Sequence, residues 1–127
     1  MFFDESMRSG APVPMLTINS VAPTIMRYGS EELKNEFIPQ ILAGEIHFAI
    51  GYSEPDAGTD LQAIRTRAVK DGDHYVVNSQ KVWTSRAEHS DLMLLLARTA
   101  PRDASKRTEG LTAPGRLATN TPGYRPR

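Results

Sequence analysis

The sequence predicts an α+β fold, with a helical segment in residues 1–45, antiparallel β structure in residues 46–100 and a disordered tail in residues 101–127. The apolar residues support this order. They repeat every three or four positions in the first segment, form short or alternating runs in the second, and lose both patterns in the third. With 127 residues, 39% of them hydrophobic, the chain can build a modest core.

Two helices account for the apolar repeats of the first segment. Their predicted core positions are Ile18, Val21, Ile25 and Tyr28 in the first helix and Leu33, Phe37 and Ile41 in the second. Ser30 is the predicted N-cap of the second helix, because its hydroxyl can accept from a first-turn amide, and Gly44 is the predicted end. Pro23 and Pro39 lack an amide hydrogen, so we expect each of them to kink or restart its helix.

The second segment has the patterns of β-strands. The run HFAIGYS, residues 47–53, is short, apolar and bounded by turn formers, which indicates a buried strand. Asp71-Gly72 tolerates the positive φ angles of a tight turn and predicts a hairpin. Residues 81–85 predict a further strand, and the apolar run 91–97 predicts a central strand covered on both faces.

The tail, from about Thr99 on, holds four of the nine prolines together with three glycines and has almost no apolar periodicity. Such a segment buries too little surface to offset the entropy of ordering it, so we expect disorder. Residues 98–127 carry 7 of the 15 basic residues, but proline, glycine and threonine separate them. This spacing does not predict nucleic-acid binding.

The composition excludes several kinds of site. The chain has no cysteine, which excludes disulfides, thiolate catalysis and thiolate metal ligands. His47, His74 and His89 do not have metal-ligand spacing, so no metal site is predicted. There is neither a basic and apolar leader nor an apolar run approaching ~20 residues, so we expect a cytoplasmic protein that does not cross a membrane.

The loop GYSEPDAGTD, residues 51–60, follows the predicted buried strand and leaves several interpretations open. A glycosidase needs two carboxyls facing each other across a sugar, and a calcium site needs oxygen ligands at spacings that DAGTD supplies only in part. A nucleophilic Ser53 needs a neighbouring base, and the sequence places none beside it, so this interpretation is not supported. A plain turn needs only residues such as Pro55 and Gly58, and Glu54 is then expected to shape that turn.

Four stretches, read in order, resemble the acyl-CoA dehydrogenase family of flavoenzymes. They are FFDESMRSGAPVPMLTINSVAPTIMRYG, YGSEELKNEFIPQILAGE, FAIGYSEPDAGTDL and RTRAVKDGDHYVVNSQKVWTS. The most specific part is hydroxyl-Glu-Pro-x-x-Gly-hydroxyl-Asp after a strand, followed about 25 residues later by Lys-x-Trp-x-Ser. The resemblance covers residues 1 to about 100. It implies the end of an N-terminal helical domain and the start of a middle β-domain, an incomplete antiparallel barrel or sandwich.

The resemblance also implies an FAD site. Tyr52 and Ser53 would supply donors to the pyrimidine edge of the flavin, where negative charge develops as a hydride arrives. Trp83 would lie against the ring, and Thr84 and Ser85 would hydrogen-bond near the hydride-accepting nitrogen. These five residues are the expected cofactor-binding set.

For the substrate, Thr59 matches the family position that touches the CoA portion of an acyl-CoA thioester. The catalytic Glu and the final helical domain of the family have no counterpart in the sequence. No catalytic residue is therefore predicted, and the chain alone is expected to be an inactive fragment. The family further implies an electron-transfer flavoprotein as partner and homo-oligomers for full-length members. The other hypothesis is a non-catalytic interaction module that docks on a full-length relative through exposed apolar faces.

The sequence departs from the family pattern in three places. Arg86 stands where relatives usually carry a small or neutral residue, and Ser79 stands where they usually carry glycine. In residues 113–120, APGRLATN has neither an apolar run nor alternation where the family has a hydrophobic strand. We therefore expect no strand in residues 113–120.

Overall fold

The computed structural model describes residues 2–101, 105–112 and 116–118. The chain divides into two compact units, Met1–His47 and Phe48–Arg127. The first is helical and the second is built of β-strands, which confirms the predicted α+β class. None of the helices in these residues is both long enough and apolar enough to span a membrane.

The helical unit contains three α-helices: α1, Phe2–Ser9; α2, Ala22–Tyr28; and α3, Glu31–Ala43. A π-helical segment, Thr17–Val21, leads directly into α2. The apolar repeats predicted α2 and α3. They did not predict α1, because its 8 residues make too few turns to show a repeat.

Both ends of α3 follow from local sequence signals. The amide of Leu33 donates to Ser30 Oγ at 3.3 Å, and Gly44 ends the helix in the left-handed conformation with φ of 74°. The helix runs through Pro39 without interruption, so the predicted break there is wrong. A proline removes one donor, and the remaining hydrogen bonds of the helix hold it. Near Pro23 the predicted interruption is confirmed, since the π-helical segment ends just before it.

Four of the predicted core positions of the helical unit are buried: Val21, Ile25, Phe37 and Ile41. Two others lie on the surface, since Ile18 is 37% exposed and Tyr28 is 76% exposed. A π-helical turn holds more residues than an α-helical turn, which rotates Ile18 away from the face that carries Ile25. Tyr28 is the last residue of α2, where the guanidinium of Arg27 lies 5.5 Å from the centre of its ring.

The first sheet of the β unit has β4, Leu92–Leu95, between β1, Phe48–Gly51, and β7, Arg116–Ala118. The central place predicted for the apolar run is therefore confirmed. Strand β1 pairs with β4 in parallel, so the prediction of purely antiparallel structure is wrong here. The chain leaves β1 and passes through the other sheet before it returns, which allows both strands to run in the same direction. This sheet buries a cluster formed by Ala49, Met93 and Leu95.

The second sheet contains four strands: β2, Arg67–Asp71; β3, His74–Asn78; β5, Ala97–Arg98; and β6, Leu111–Thr112. Their order across the sheet is β3-β2-β5-β6. Strands β2 and β5 pair in parallel, and the other two pairs are antiparallel. Among the described strands both sheets are open and mixed, and the predicted antiparallel barrel is not seen.

The predicted hairpin joins β2 to β3. Asp71 pairs with His74, so Gly72 and Asp73 form a two-residue connection. Gly72 has φ of 59°, a conformation that residues with a Cβ rarely adopt. The turn signal in the sequence is therefore confirmed, with Gly72 at the first central position.

The apolar run 91–97 forms two strands instead of the single predicted one. β4 belongs to the first sheet and β5 to the second, and Leu96 separates them. The amide of Leu96 donates to the carbonyl of Gly51 at 3.0 Å. The chain thus crosses from one sheet to the other at Leu96, and a continuous apolar run carries no signal of such a crossing.

The predicted disorder of the tail is wrong for two described segments. β6 pairs with β5, and β7 pairs with β4, although residues 113–120 were expected to contain no strand. Both gain backbone hydrogen bonds from strands far away in the sequence, which local periodicity cannot reveal. The rest of the predicted tail, residues 102–104, 113–115 and 119–127, lies outside the described residues.

The strand predicted at 81–85 is also wrong. These residues form no strand, and the next residues lead into a single 3₁₀ turn, Ala87–His89. Trp83 and Arg86 have φ angles of 56° and 61°, both left-handed. A β-strand needs negative φ throughout, so these two residues exclude it.

Candidate functional site

Two segments of the β unit meet at the candidate site. One is the loop that follows β1, residues 51–60, and the other is the irregular segment 79–86. The amide of Val82 donates to the carbonyl of Ser53 at 3.0 Å, and Lys81 Nζ donates to the carbonyl of Tyr52 at 3.0 Å. The two motifs, which are separate in the sequence, are therefore neighbours in the fold.

Gly51 lets the start of the loop lie close to β4. A Cβ at this position would come within 2.6 Å of Met93 Sδ and 3.2 Å of Leu95 Cδ1. Its φ is not left-handed, so the reason for glycine is the lack of space against the sheet.

Glu54 is the centre of a buried hydrogen-bond network. It is 8% exposed, and its carboxylate accepts from the amide of Arg65 at 2.7 Å and from the amide of Thr66 at 3.0 Å. The hydroxyl of Thr66 also donates to it, and Lys81 Nζ lies 2.9 Å from Oε1. A buried carboxylate needs this number of donors to offset the loss of water.

The environment shifts the pKa values of both partners in this ion pair. Burial alone would raise the pKa of Glu54, but hydrogen bonds from Thr66, Arg65 and Lys81 outweigh it and lower the value to about 2. Burial lowers the pKa of Lys81, and the hydrogen bond and charge of Glu54 act against that shift. Nearby, burial raises the pKa of the Tyr52 phenol.

The other two acids of the loop each face a base. Asp56 lies 3.6 Å from Arg65 Nη1, and Asp60 forms an ion pair with Arg107. Within the ranges that the structure describes, no group of three or more His, Asp or Glu side chains is placed to hold a metal ion. The loop acids thus serve ion pairs with separate bases, an arrangement that does not suit a calcium site.

Trp83 presents its indole to the surface. It is 88% exposed, although a large aromatic side chain is usually mostly buried in a folded protein. Its left-handed backbone follows directly after Val82, whose amide is bound to the loop. An uncovered aromatic face next to a fixed loop is suited to stacking on a planar ligand.

The structure positions the six predicted site residues as follows. Tyr52, Ser53 and Thr84 are half-buried, whereas Thr59, Trp83 and Ser85 are exposed. The contacts at Lys81 and Val82 bring Tyr52 and Ser53 to the segment that carries Trp83, Thr84 and Ser85. Thr59 lies further along the same loop, six residues after Ser53, and is not drawn to that segment by these contacts.

Sequence reasoning missed the network that supports the site. Glu54 was expected to shape the turn. It does so, since its amide and carbonyl pair with Ala57 at 2.9 and 3.1 Å. Its carboxylate, however, also joins the loop to Thr66 and Lys81. The sequence signal that could have revealed this network is Lys81. It stands two positions before the motif tryptophan, and a lysine that is buried there needs an acidic partner.

Arg98 is a second buried residue that the sequence did not reveal. It is 4% exposed, and its guanidinium donates to four carbonyls, those of Gln62, Ile64, Arg107 and Glu109. It therefore joins the segment that follows the site loop to the segment before β6.

The two most specific motifs of the family resemblance, residues 53–60 and 81–85, both lie in the β unit. A family model described as "Acyl-CoA dehydrogenase, middle domain" matches residues 49–126. The chain belongs to the acyl-CoA dehydrogenase family.

Known proteins resemble this chain both in sequence and in structure. "Acyl-CoA dehydrogenase FadE26" of Mycobacterium tuberculosis is 57% identical over 113 residues, which are 88% of this chain and 28% of the relative. The "ChsE4-ChsE5 complex from Mycobacterium tuberculosis" contains a chain that is 58% identical with a TM-score of 0.79, covering 87% of this chain and 28% of that one. The "Tcur3481-Tcur3483 steroid ACAD" is 49% identical with a TM-score of 0.79, covering 86% and 28%. The chain thus spans less than a third of the length of the relatives it matches.

Proposed function

We propose that this chain forms part of the FAD site of an acyl-CoA dehydrogenase that oxidises acyl-CoA thioesters to enoyl-CoA. One observation carries the proposal. The loop residues Tyr52 and Ser53 are fixed to the segment that contains the exposed Trp83. The proposed reaction follows from family membership. The proposed position of the cofactor, between Tyr52, Ser53 and Trp83, follows from this arrangement.

The residues present fit a flavin. Trp83 offers an open aromatic face, and Ser53, Thr84 and Ser85 offer hydroxyl and amide donors close to it. A ring system with a polar edge needs this combination of stacking surface and donors. FAD, when bound, accepts the hydride that leaves the acyl chain.

Each site residue then has a distinct role. The amides of Tyr52 and Ser53, together with the Ser53 hydroxyl, hold the edge of the ring that becomes negative, and donors set in advance stabilise that charge. Trp83 orients the ring by stacking, while Thr84 and Ser85 donate hydrogen bonds near the reacting nitrogen. Thr59, which is exposed, contacts the CoA portion of the substrate.

Proton abstraction from the substrate comes from a group other than Glu54. A carboxylate with a pKa of about 2 is a weak base at neutral pH, and the carboxylate of Glu54 already accepts from Arg65, Thr66 and Lys81. The chain alone is therefore proposed to lack dehydrogenase activity.

The substrate and partners can be proposed from the relatives. Two similar structures are a steroid acyl-CoA dehydrogenase and a complex of two named components, at 49% and 58% identity. We infer that the dehydrogenase to which this chain contributes acts on a bulky polycyclic thioester within an assembly of more than one subunit. Its electrons would then pass to an electron-transfer flavoprotein, as the family implies.

A second function is favoured by one observation. Val69 and Val76 pair across the β2–β3 hairpin and are 52% and 54% exposed. An exposed apolar pair can dock on another protein, so the alternative is an interaction module that binds a full-length relative without catalysis.

Flavin titration separates the two functions. The chain has a single tryptophan, so its fluorescence reports on position 83 alone. If the proposal is correct, added FAD quenches this fluorescence to saturation, and Ser53→Ala weakens the binding, whereas the exposed Thr108→Ala does not. Quenching that never saturates, together with tight binding to a full-length relative, would favour the interaction module.

A further inference from the structure

Three consecutive carbonyls of the site loop, those of Gly51–Ser53, each accept a hydrogen bond of 3.0 Å. Their donors are, in order, the amide of Leu96, the ammonium of Lys81 and the amide of Val82. Two of the three donors belong to the backbone. Only the middle contact depends on a side chain, and it is therefore the one that substitution can remove.

The direction of each carbonyl also fixes the direction of the next amide. In a planar trans peptide, the carbonyl of one residue and the N–H of the following residue point in opposite directions. The chain has no cis peptide bond among its described residues. The contact of the Tyr52 carbonyl with Lys81 thus turns the Ser53 N–H away from Lys81.

The neighbouring peptide follows the same rule. The Ser53 carbonyl accepts from Val82, and the Glu54 N–H on the opposite side of that peptide donates to the carbonyl of Ala57 at 2.9 Å. In both peptides the carbonyl therefore points towards the segment 79–86, and the N–H of the following residue points to the opposite side.

Lys81 is itself held in place. Its side chain is 6% exposed, and Glu54, 8% exposed, lies 2.9 Å from the ammonium. Glu54 is fixed in turn by the amides of Arg65 and Thr66. The ammonium therefore cannot move away from the Tyr52 carbonyl without breaking a buried ion pair.

We propose that Lys81 is a positioning residue that sets the Ser53 amide as a hydrogen-bond donor to the flavin, an inference that rests on the proposed function. The cation acts in two ways. It fixes the orientation of the peptide between Tyr52 and Ser53, and it polarises that peptide, because a donor bound to a carbonyl strengthens the N–H on the other side. Both effects favour the negatively charged, reduced form of the bound ring.

The test compares Lys81→Met, which removes the donor, with Lys81→Gln, which keeps a neutral donor. Lys70→Met is the matched control, because Lys70 is an exposed lysine on β2. The double variant Glu54→Gln/Lys81→Met avoids a buried unpaired carboxylate if the single variant fails to fold. The readouts are FAD affinity from Trp83 fluorescence, the midpoint potential of the bound flavin, and the 15N chemical shift of the Ser53 amide.

Lys81→Met is expected to weaken FAD binding by about tenfold, the scale of one lost hydrogen bond to a charged group, and to lower the midpoint potential. Lys81→Gln should recover part of the affinity, and Lys70→Met should match the wild type. An unchanged potential and affinity in folded Lys81→Met and in the double variant would overturn the inference and leave the proposed FAD site intact. A wild-type chain that does not bind FAD would overturn both.

Discussion

The ammonium of Lys81 lies 2.9 Å from Oε1 of Glu54, and both side chains are almost fully buried. The pair connects residues that are far apart in the sequence, one in the loop after β1 and the other in the irregular segment before β4. It fixes the loop on which the proposed cofactor site depends. The stability of the β unit should therefore respond strongly to changes in this pair.

Glu54→Ala should destabilise the β unit by about 3 kcal/mol or more, because it leaves a buried ammonium and several donors without their partner. Glu54→Gln, which keeps an acceptor, should cost less. The exposed ion pair of Asp56 with Arg65 gives the control, and Asp56→Asn should change the free energy of unfolding by no more than about 0.5 kcal/mol. Urea unfolding of the variants measures these differences, and equal effects of Glu54→Ala and Asp56→Asn would contradict the importance of the network.

The folded chain should lose stability in acid through Glu54. The pKa of Glu54 in the folded state is about 2, below its ordinary value near 4.5, so the unfolded state binds the proton more readily. The contribution of this carboxylate is thus complete above pH of about 4.5 and is lost as the pH falls towards about 2. Unfolding curves between pH 2 and 6 would show the effect, and Glu54→Gln should flatten this part of the profile. If the dependence of stability on pH is the same in the Gln variant as in the wild type, the loss of stability in acid comes from other groups.

Gly51→Ala should destabilise the protein by about 1–3 kcal/mol, since the new Cβ would overlap Met93 Sδ on the central strand. Gly58→Ala in the same loop is the matched control, because a Cβ added there would meet no described atom within 4 Å and the φ of Gly58 is not left-handed. Thermal unfolding compares the two. Equal melting temperatures for both variants would show that β4 can move aside at no cost.

The isolated chain, supplied with excess FAD and an artificial electron acceptor, should not oxidise butyryl-, octanoyl- or steroid acyl-CoA. The physical reason is the lack of a suitable base among the described site residues, since Glu54 is committed to its donors. A full-length relative assayed in parallel shows that the reagents work. Turnover by the isolated chain that Ser53→Ala abolishes would mean that the chain contains a catalytic base.

Local signals predicted local structure well. Ser30, Gly44 and Gly72 act within one turn of the chain, and each was found in its predicted role. The crossing at Leu96 and the pairing of β7 with β4 depend on partners that are distant in the sequence, so periodicity did not show them. The site motifs were located by resemblance, but the left-handed Trp83 that breaks the predicted strand required the structure.

The parallel pairing of β1 with β4 also sets an order of folding for the β unit. Phe48 pairs with Leu92, so this contact closes a long loop, whereas the β2–β3 hairpin closes over Gly72 and Asp73 alone. Short hairpins form within about 1–10 μs, and longer loops close at a higher entropic cost. We expect pulse-labelled exchange to protect the hairpin before β1, and the reverse order would disprove this. During synthesis on the ribosome, β1 would therefore wait with its apolar residues exposed until β4 emerges, and in that interval the strand is open to association with other chains.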